Sequence, residues 1–207
     1  MAETSKFWDK TAEKYARLPI THEDDYLTKL KVTQSYLQPE MRLLECGCGT
    51  GGTAIAHAPH VAHIQAIDFS ENMLEKARLR AREAGASNIA FECADITLIP
   101  KPKVPYDMVL AMSVLHLLKD PDAVIVKIYE MLAPGGYFVS STACLGDSMG
   151  YFKLLAPIGR AVGLLPILKV MSTEDVTAKI EASGFEIAHR WKPGADRALF
   201  LVARKPQ

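Results

Sequence analysis

The stretch LLECGCGTGGTAIA, Leu43–Ala56, is where the reading of this chain turns. A short apolar strand, Met41 to Glu45, runs into a glycine-rich turn, and a short helix follows from about Gly52 to His57. Gly47, Gly49 and Gly52 stand at the spacing G-x-G-x-x-G. Glycines at such positions let the backbone bend sharply and come close to a ligand. The same spacing also serves a plain strand-to-helix turn, so the surrounding residues must decide.

Outward from the turn, strand-like and helix-like segments alternate. Upstream, Asp24 to Leu37 reads as a helix with Leu27, Leu30 and Leu37 on one face and Pro39 beyond its end. Downstream, Ala62 to Ile67 is a strand, and Ser70 caps a helix that ends at Gly85, with Met73, Leu74, Ala77, Ala81 and Ala84 toward a sheet. Asn88 to Cys93 and Tyr106 to Met112 are further strands, the latter apolar enough to be covered on both faces. Asp120-Pro121 opens a helix with the stripe Ile125, Ile128, Tyr129 and Leu132, which Pro134-Gly135-Gly136 stops; Tyr137 to Thr142 is the fifth strand. A helix from Ser172 to Ser183 and a hairpin of Phe185 to Trp191 and Ala198 to Arg204 close the chain. Such alternation implies a parallel sheet covered on both sides, with the hairpin adding an antiparallel strand.

The 207 residues fit one domain, 1–207, and 24 basic residues balance 24 acidic ones. A neutral chain has no global attraction for nucleic acid or an anionic membrane. The opening MAETSKFWDK is polar, and no segment has the length of a membrane span. Cys46, Cys48, Cys93 and Cys144 show no metal-knuckle spacing and read as buried, reduced thiols. Together these features imply a cytoplasmic protein with no metal site.

In a doubly wound sheet, ligands sit at the carboxyl ends of the strands, where the turn after Glu45 lies. Asp68, in AIDFS at the end of the second strand, is placed to grip ribose hydroxyls. To this point a nicotinamide cofactor and S-adenosylmethionine fit equally. Three features separate them. Glu45 extends the motif to E-x-G-x-G-x-G-G, and its carboxylate suits an ammonium and repels a pyrophosphate. Asp95, in ECADI, is placed to accept from an adenine amino group, or else forms a turn before Pro100. The chain also leaves no room for a separate hydride-transfer domain.

Five segments, LLECGCGTGG, AIDFSENMLEKAR, ECADI, YDMVLAMSVLHLL and LAPGGYFV, resemble in order and spacing the motifs of class I S-adenosylmethionine-dependent methyltransferases. The resemblance implies a Rossmann-like doubly wound sheet of seven strands, order 3-2-1-4-5-7-6, with strand 7 antiparallel and helices on both faces. By motif match it sets Glu45, Gly47, Gly49 and Gly51 along the methionine moiety and Asp68 on the ribose. Phe69 and Met73 fall near ribose and adenine, Asp95 and Ile96 beside the adenine, and Met112 under the sulfonium. Met73 reads equally well as a core residue. The cofactor implied is S-adenosyl-L-methionine, with S-adenosyl-L-homocysteine as product.

Methyl transfer from a sulfonium needs alignment more than acid–base chemistry. Where a base is required, His116 is the candidate by position, although leucine-histidine here also serves as turn support; His22 is a second candidate, and His57, His60 and His63 read as surface or packing residues. Residues 1–23 resemble a lid segment, with Phe7, Trp8 and Tyr15 either facing the cofactor or packing on the sheet. Segment 145–170 is rich in Leu, Ile, Phe and Tyr and reads as an apolar insertion covering the acceptor, or as a dimer face or peripheral membrane contact. The reading is a methyltransferase acting on a small apolar or aromatic acceptor, as monomer or homodimer and without nucleic acid, since AMSV stands where amino-directed DNA enzymes carry D/N/S-P-P-Y/F. An NAD-dependent oxidoreductase and a non-enzymatic cofactor-binding protein are the alternatives.

Overall fold

Strands β1 (Arg42–Cys46), β2 (His63–Asp68) and β3 (Ile89–Cys93) pair in parallel, with Leu43 opposite Ile64 and Ile64 opposite Ile89. Strands β4 (Tyr106–Met112) and β5 (Leu132–Thr142) are parallel, while β7 (Leu199–Arg204) runs antiparallel to both β5 and β6 (Glu186–Trp191). The hydrogen-bonded order is β3-β2-β1-β4-β5-β7-β6, as the motifs implied, with helices on both sides. This computed structural model describes residues 2–148 and 168–207. The chain divides into two compact units, Met1–Pro100 and Lys101–Gln207. Most of segment 145–170 lies outside the described residues.

The first unit carries α1 (Ala2–Arg17), α2 (Glu23–Gln34), α3 (Gly52–His57) and α4 (Glu71–Glu83). Its core is Leu43, Leu44, Ile64, Ile67, Leu74 and Ala77, all at most 1% exposed. Ser70 caps α4 by accepting from the Met73 backbone N–H at 3.3 Å, and Gly85 follows its end at φ 69°. The stripe on α4 stops one turn early: Met73, Leu74, Ala77 and Ala81 are buried, but Ala84 is the C-cap and exposed. On α2 the inward face runs through Tyr26, Leu30 and Thr33, the i, i+4, i+7 set. Leu27 is exposed in consequence, and Leu37 falls beyond the helix.

The second unit carries α5 (Pro121–Met131), α6 (Leu145–Ser148) and α7 (Thr173–Ala182). Strand β4 is buried on both faces at Met108, Val109, Leu110 and Ala111, as its composition implied. Strand β5 begins earlier than read, at Leu132, so Leu132 belongs to the sheet and not to the α5 stripe. Tyr106 pairs with Leu132 but Met108 with Tyr137, which loops Pro134-Gly135-Gly136 out of register. Backbone bonds between Gly135 and Gly136 and the Lys205 peptide hold that bulge, and the Lys205 ammonium caps α5 at the Tyr129 and Leu132 carbonyls, 2.8 Å each. None of the four cysteines is in a disulfide; Cys93 is exposed, contrary to the reading, because it ends the edge strand β3. Among the described residues no helix is long and apolar enough to cross a membrane.

Candidate cofactor site at the glycine turn

The turn between β1 and α3 is built on left-handed glycines, Gly47 at φ 65°, Gly49 at 53° and Gly51 at 77°. Two of them have distinct reasons to lack a side chain. A Cβ on Gly51 would lie 3.0 Å from the Ala77 Cβ and 3.3 Å from the Phe91 ring, so the turn lies tight on α4 and β3. A Cβ on Gly49 would meet nothing within 4 Å and would project into open space in front of the turn.

Asp68 ends β2 and is tied to this turn. Its Oδ2 accepts the Gly49 N–H at 2.8 Å and its Oδ1 accepts the Ser70 N–H at 2.9 Å. Burial raises the carboxyl pKa, and the two backbone donors oppose the rise. The bonds fix the carboxylate in one orientation, and each oxygen retains acceptor capacity for a ribose hydroxyl.

Glu45, one residue before the end of β1, is 2% exposed, and its Oε2 has no hydrogen-bond partner. Burial pushes its carboxyl up to about 8; the nearby Asp68 carboxylate adds to the rise and the Ala54 backbone N–H opposes it. A buried acceptor without a partner costs free energy. A ligand ammonium reaching this carboxylate would satisfy it, so the residues present fit the amino-acid end of S-adenosylmethionine.

Asp95 accepts at Oδ1 from both the backbone and the hydroxyl of Thr97, at 2.8 and 2.7 Å, and so forms the turn that the sequence offered as its other role. Its Oδ2 stands outside those two bonds. Ile96 beside it is buried, Phe69 is 36% exposed, and Met73 is fully inside the α4 core face. Tyr15 on α1 is 48% exposed and stacks edge-on with Trp8, which in turn meets Phe7 edge-on.

One residue of this unit escaped the sequence reading, and another has a second role beyond the one read. Tyr26 on α2 is half-buried; its phenol bonds the Thr53 side chain, and burial, with help from the charges of Glu45 and Tyr15, raises its pKa. Only the i, i+4, i+7 pattern with Leu30 and Thr33 pointed to it. Ser70 does more than cap α4: its hydroxyl donates to Asp9 Oδ1 of α1 at 2.6 Å.

In the second unit, Met112 is half-buried at the end of β4. Ser113 follows at φ 62°, rare for a residue with a Cβ, and its N–H donates to the Ser141 carbonyl at 2.8 Å. His116 then sits in a 3-10 turn, Leu115–Leu117, with its carbonyl accepting from the Lys169 N–H at 2.7 Å. Its ring is buried, Nδ1 has no partner, and desolvation lowers its pKa to about 4. His22 is exposed at the start of α2, and His57 is wholly buried in α3.

A doubly wound sheet of this order, with a glycine turn after β1 and an acidic residue closing β2, defines the class I S-adenosylmethionine-dependent methyltransferase fold. The methyltransferase-domain family model matches residues 37–189. The chain is 32% identical over 147 residues to the 27-O-demethylrifamycin SV methyltransferase of Amycolatopsis mediterranei (strain S699), which covers 70% of this chain and 54% of that protein. It is 31% identical over 171 residues to the ubiquinone biosynthesis O-methyltransferase of Xylella fastidiosa (strain 9a5c), covering 80% and 65% respectively. The chain thus spans between about half and two thirds of the length of these relatives. The N-methyltransferase NodS from Bradyrhizobium japonicum WM9, solved with S-adenosyl-L-homocysteine, superposes with a TM-score of 0.73 at 21% identity, over 97% of this chain and 99% of that one. The chain belongs to the methyltransferase-domain family.

Proposed function

We propose that this protein transfers a methyl group from S-adenosylmethionine to a hydroxyl of a small, apolar or aromatic acceptor. The observation that carries the cofactor half is the pair of buried carboxyls at the turn, Glu45 with a partnerless oxygen and Asp68 held by Gly49 and Ser70. Bound S-adenosylmethionine supplies a sulfonium methyl already activated for displacement. Glu45 takes the ammonium, Asp68 takes the ribose hydroxyls, and Gly49 leaves the space for their approach. Ile96 and the free oxygen of Asp95 are assigned to the adenine, and Met112 to the sulfonium end. A hydroxyl acceptor is supported by the names of the two relatives, one acting on a rifamycin and one in ubiquinone biosynthesis.

His116 is assigned the acceptor's proton. Its depressed pKa keeps the ring neutral above about pH 5 and free to accept a hydrogen bond. A base this weak takes the proton only as the acceptor oxygen loses its electron density in the transition state.

The test has two stages. Calorimetry with S-adenosylhomocysteine, with NAD as control, should show binding of the first alone. Asp68→Asn should weaken it roughly 10–150-fold, the worth of about 1.5–3 kcal/mol for hydrogen bonds to a charged acceptor. Labelled S-adenosylmethionine with a panel of catechols and hydroxylated quinols should then give product. His116→Gln should cut turnover by roughly 10²–10⁴-fold with cofactor affinity unchanged. Binding of NAD alone would overturn the reading, and a change of only a few-fold in His116→Gln would leave that residue as turn support.

A further inference from the structure

Glu45 poses a question that its assignment to an ammonium leaves open: how the protein holds this carboxyl before the cofactor arrives. The groups facing it are Asp68 on β2, the Tyr26 phenol on α2, the Cys48 thiol in the turn and the Ala54 N–H on α3. Asp68 disfavours a second negative charge beside it, the Tyr26 phenol and the Cys48 thiol are pushed up by their own burial and stay neutral, and the backbone N–H is a single neutral donor. Arg80 on α4 is turned to Thr50, with its guanidinium 2.8 Å from the hydroxyl. Among the described residues, no lysine, arginine or histidine pairs with Glu45. An isolated ionised carboxylate at this depth is costly, and the usual outcome is that the group keeps its proton.

We propose that Glu45 is a neutral carboxylic acid in the free protein and that capture of the cofactor's ammonium expels its proton to solvent. The inference rests on the cofactor reading above and deepens it. The balance is simple: Glu45–COOH and R–NH₃⁺ become Glu45–COO⁻ paired with R–NH₃⁺, and one H⁺ leaves. The ligand enters already protonated at neutral pH. The geometry carries the step, since the partnerless Oε2 gains its only strong donor when the ammonium arrives. A carboxyl that titrates near 8 in the free site is almost wholly protonated at neutral pH, which sets the size of the effect.

Cofactor binding is therefore linked to pH. Binding strengthens as pH rises toward 8, because less of the free protein must give up a proton. The recognition also becomes selective. A neutral acid presents little attraction to cations in general, and only a ligand anchored at Asp68 and the glycine turn brings its ammonium close enough to ionise it.

The experiment is isothermal titration of the full chain with S-adenosylhomocysteine in buffers of different ionisation enthalpy. At about pH 6.5 the wild type should release about one proton per site, and the release should shrink as pH rises toward 8, where Glu45 is already partly ionised in the free protein. Its Kd should fall roughly tenfold per pH unit between about pH 6 and 7.5. Glu45→Gln, which mimics the neutral acid, should bind more weakly with no proton release and a flat pH dependence. Binding without release in the wild type, or release that persists in Glu45→Gln, overturns the proposal and leaves the cofactor reading standing. Absence of any binding overturns both. The wild-type measurements stand alone if the variant does not fold.

Discussion

Gly49 and Gly51 sit two residues apart in the same conformation and should fail differently. Alanine at either position forces a Cβ into the left-handed region, at a cost of roughly 1–2 kcal/mol. Gly51→Ala adds an overlap with Ala77 and Phe91, and overpacking of this kind costs about 1–3 kcal/mol more. Its melting temperature should fall by roughly 5–15 °C, against about 2–8 °C for Gly49→Ala. Binding should rank the other way relative to stability, because the Gly49 methyl projects into open space and the Gly49 N–H holds the Asp68 carboxylate. Melting curves and S-adenosylhomocysteine titrations on both variants separate the roles. Equal loss of affinity per degree of melting temperature would show that both glycines serve the turn alone.

At the scale of elements, Ser70 joins three pieces: it caps α4, orients Asp68 through its N–H, and holds α1 through Asp9. Asn72 adds a bond to the Asp9 carbonyl, and Lys76 an ion pair to Glu13. Ser70→Ala should cost about 1 kcal/mol for the cap and a comparable amount for the lost bond to Asp9. Asp9→Ala should cost only the second, and the double variant should be no worse than Ser70→Ala, the signature of one shared bond. Limited proteolysis within residues 2–17 should accelerate in both; unchanged cleavage would mean that apolar packing alone holds α1. None of this linkage was legible in the sequence, because Asp9 and Ser70 lie 61 residues apart and belong to no common motif. What was legible had local chemistry behind it: the cap at Ser70, the Asp120-Pro121 opening of α5, the left-handed stop at Gly85, and the unbroken apolar run of β4. Strand order and the glycine turn followed from the family motifs. The misreadings came where tertiary pairing overrode pattern. Leu132 reads as the last stripe of α5 until β4 claims it, and Leu27 reads as core until Tyr26 sets the face of α2. The Glu45 carboxyl was placed by motif, but its lack of a partner depends on side chains from β2, α2 and α3 that no spacing encodes.

Across the whole molecule, three buried groups give the free protein opposed responses to pH. His57 and His116 are each lowered to about 4 by desolvation, from an ordinary value of 6.5. The unfolded chain binds these protons first, so their contribution is fully present above about pH 6.5 and is lost as pH falls toward 4. Each loses about 1.4 kcal/mol per pH unit across that window. Glu45 acts with the opposite sign. Its folded pKa, about 8, stands above its ordinary 4.5, so its contribution is present at low pH and is lost as pH rises from about 4.5 to 8. Two histidines outweigh one carboxyl on the acid side, and only the carboxyl acts between about 6.5 and 8. Melting temperature in the absence of ligand should therefore peak near pH 6.5 and decline on both sides. His57→Leu, at a position whose two ring nitrogens are buried without partners, should abolish the acid limb, because His116 and Glu45 then cancel, while leaving the alkaline limb unchanged. Saturating S-adenosylhomocysteine should remove the alkaline decline, since the ammonium then stabilises the ionised Glu45. A melting temperature that falls steadily from about pH 4.5 upward would show that the two histidines titrate as they do in water, leaving only Glu45 to act, and that water reaches rings the fold otherwise encloses.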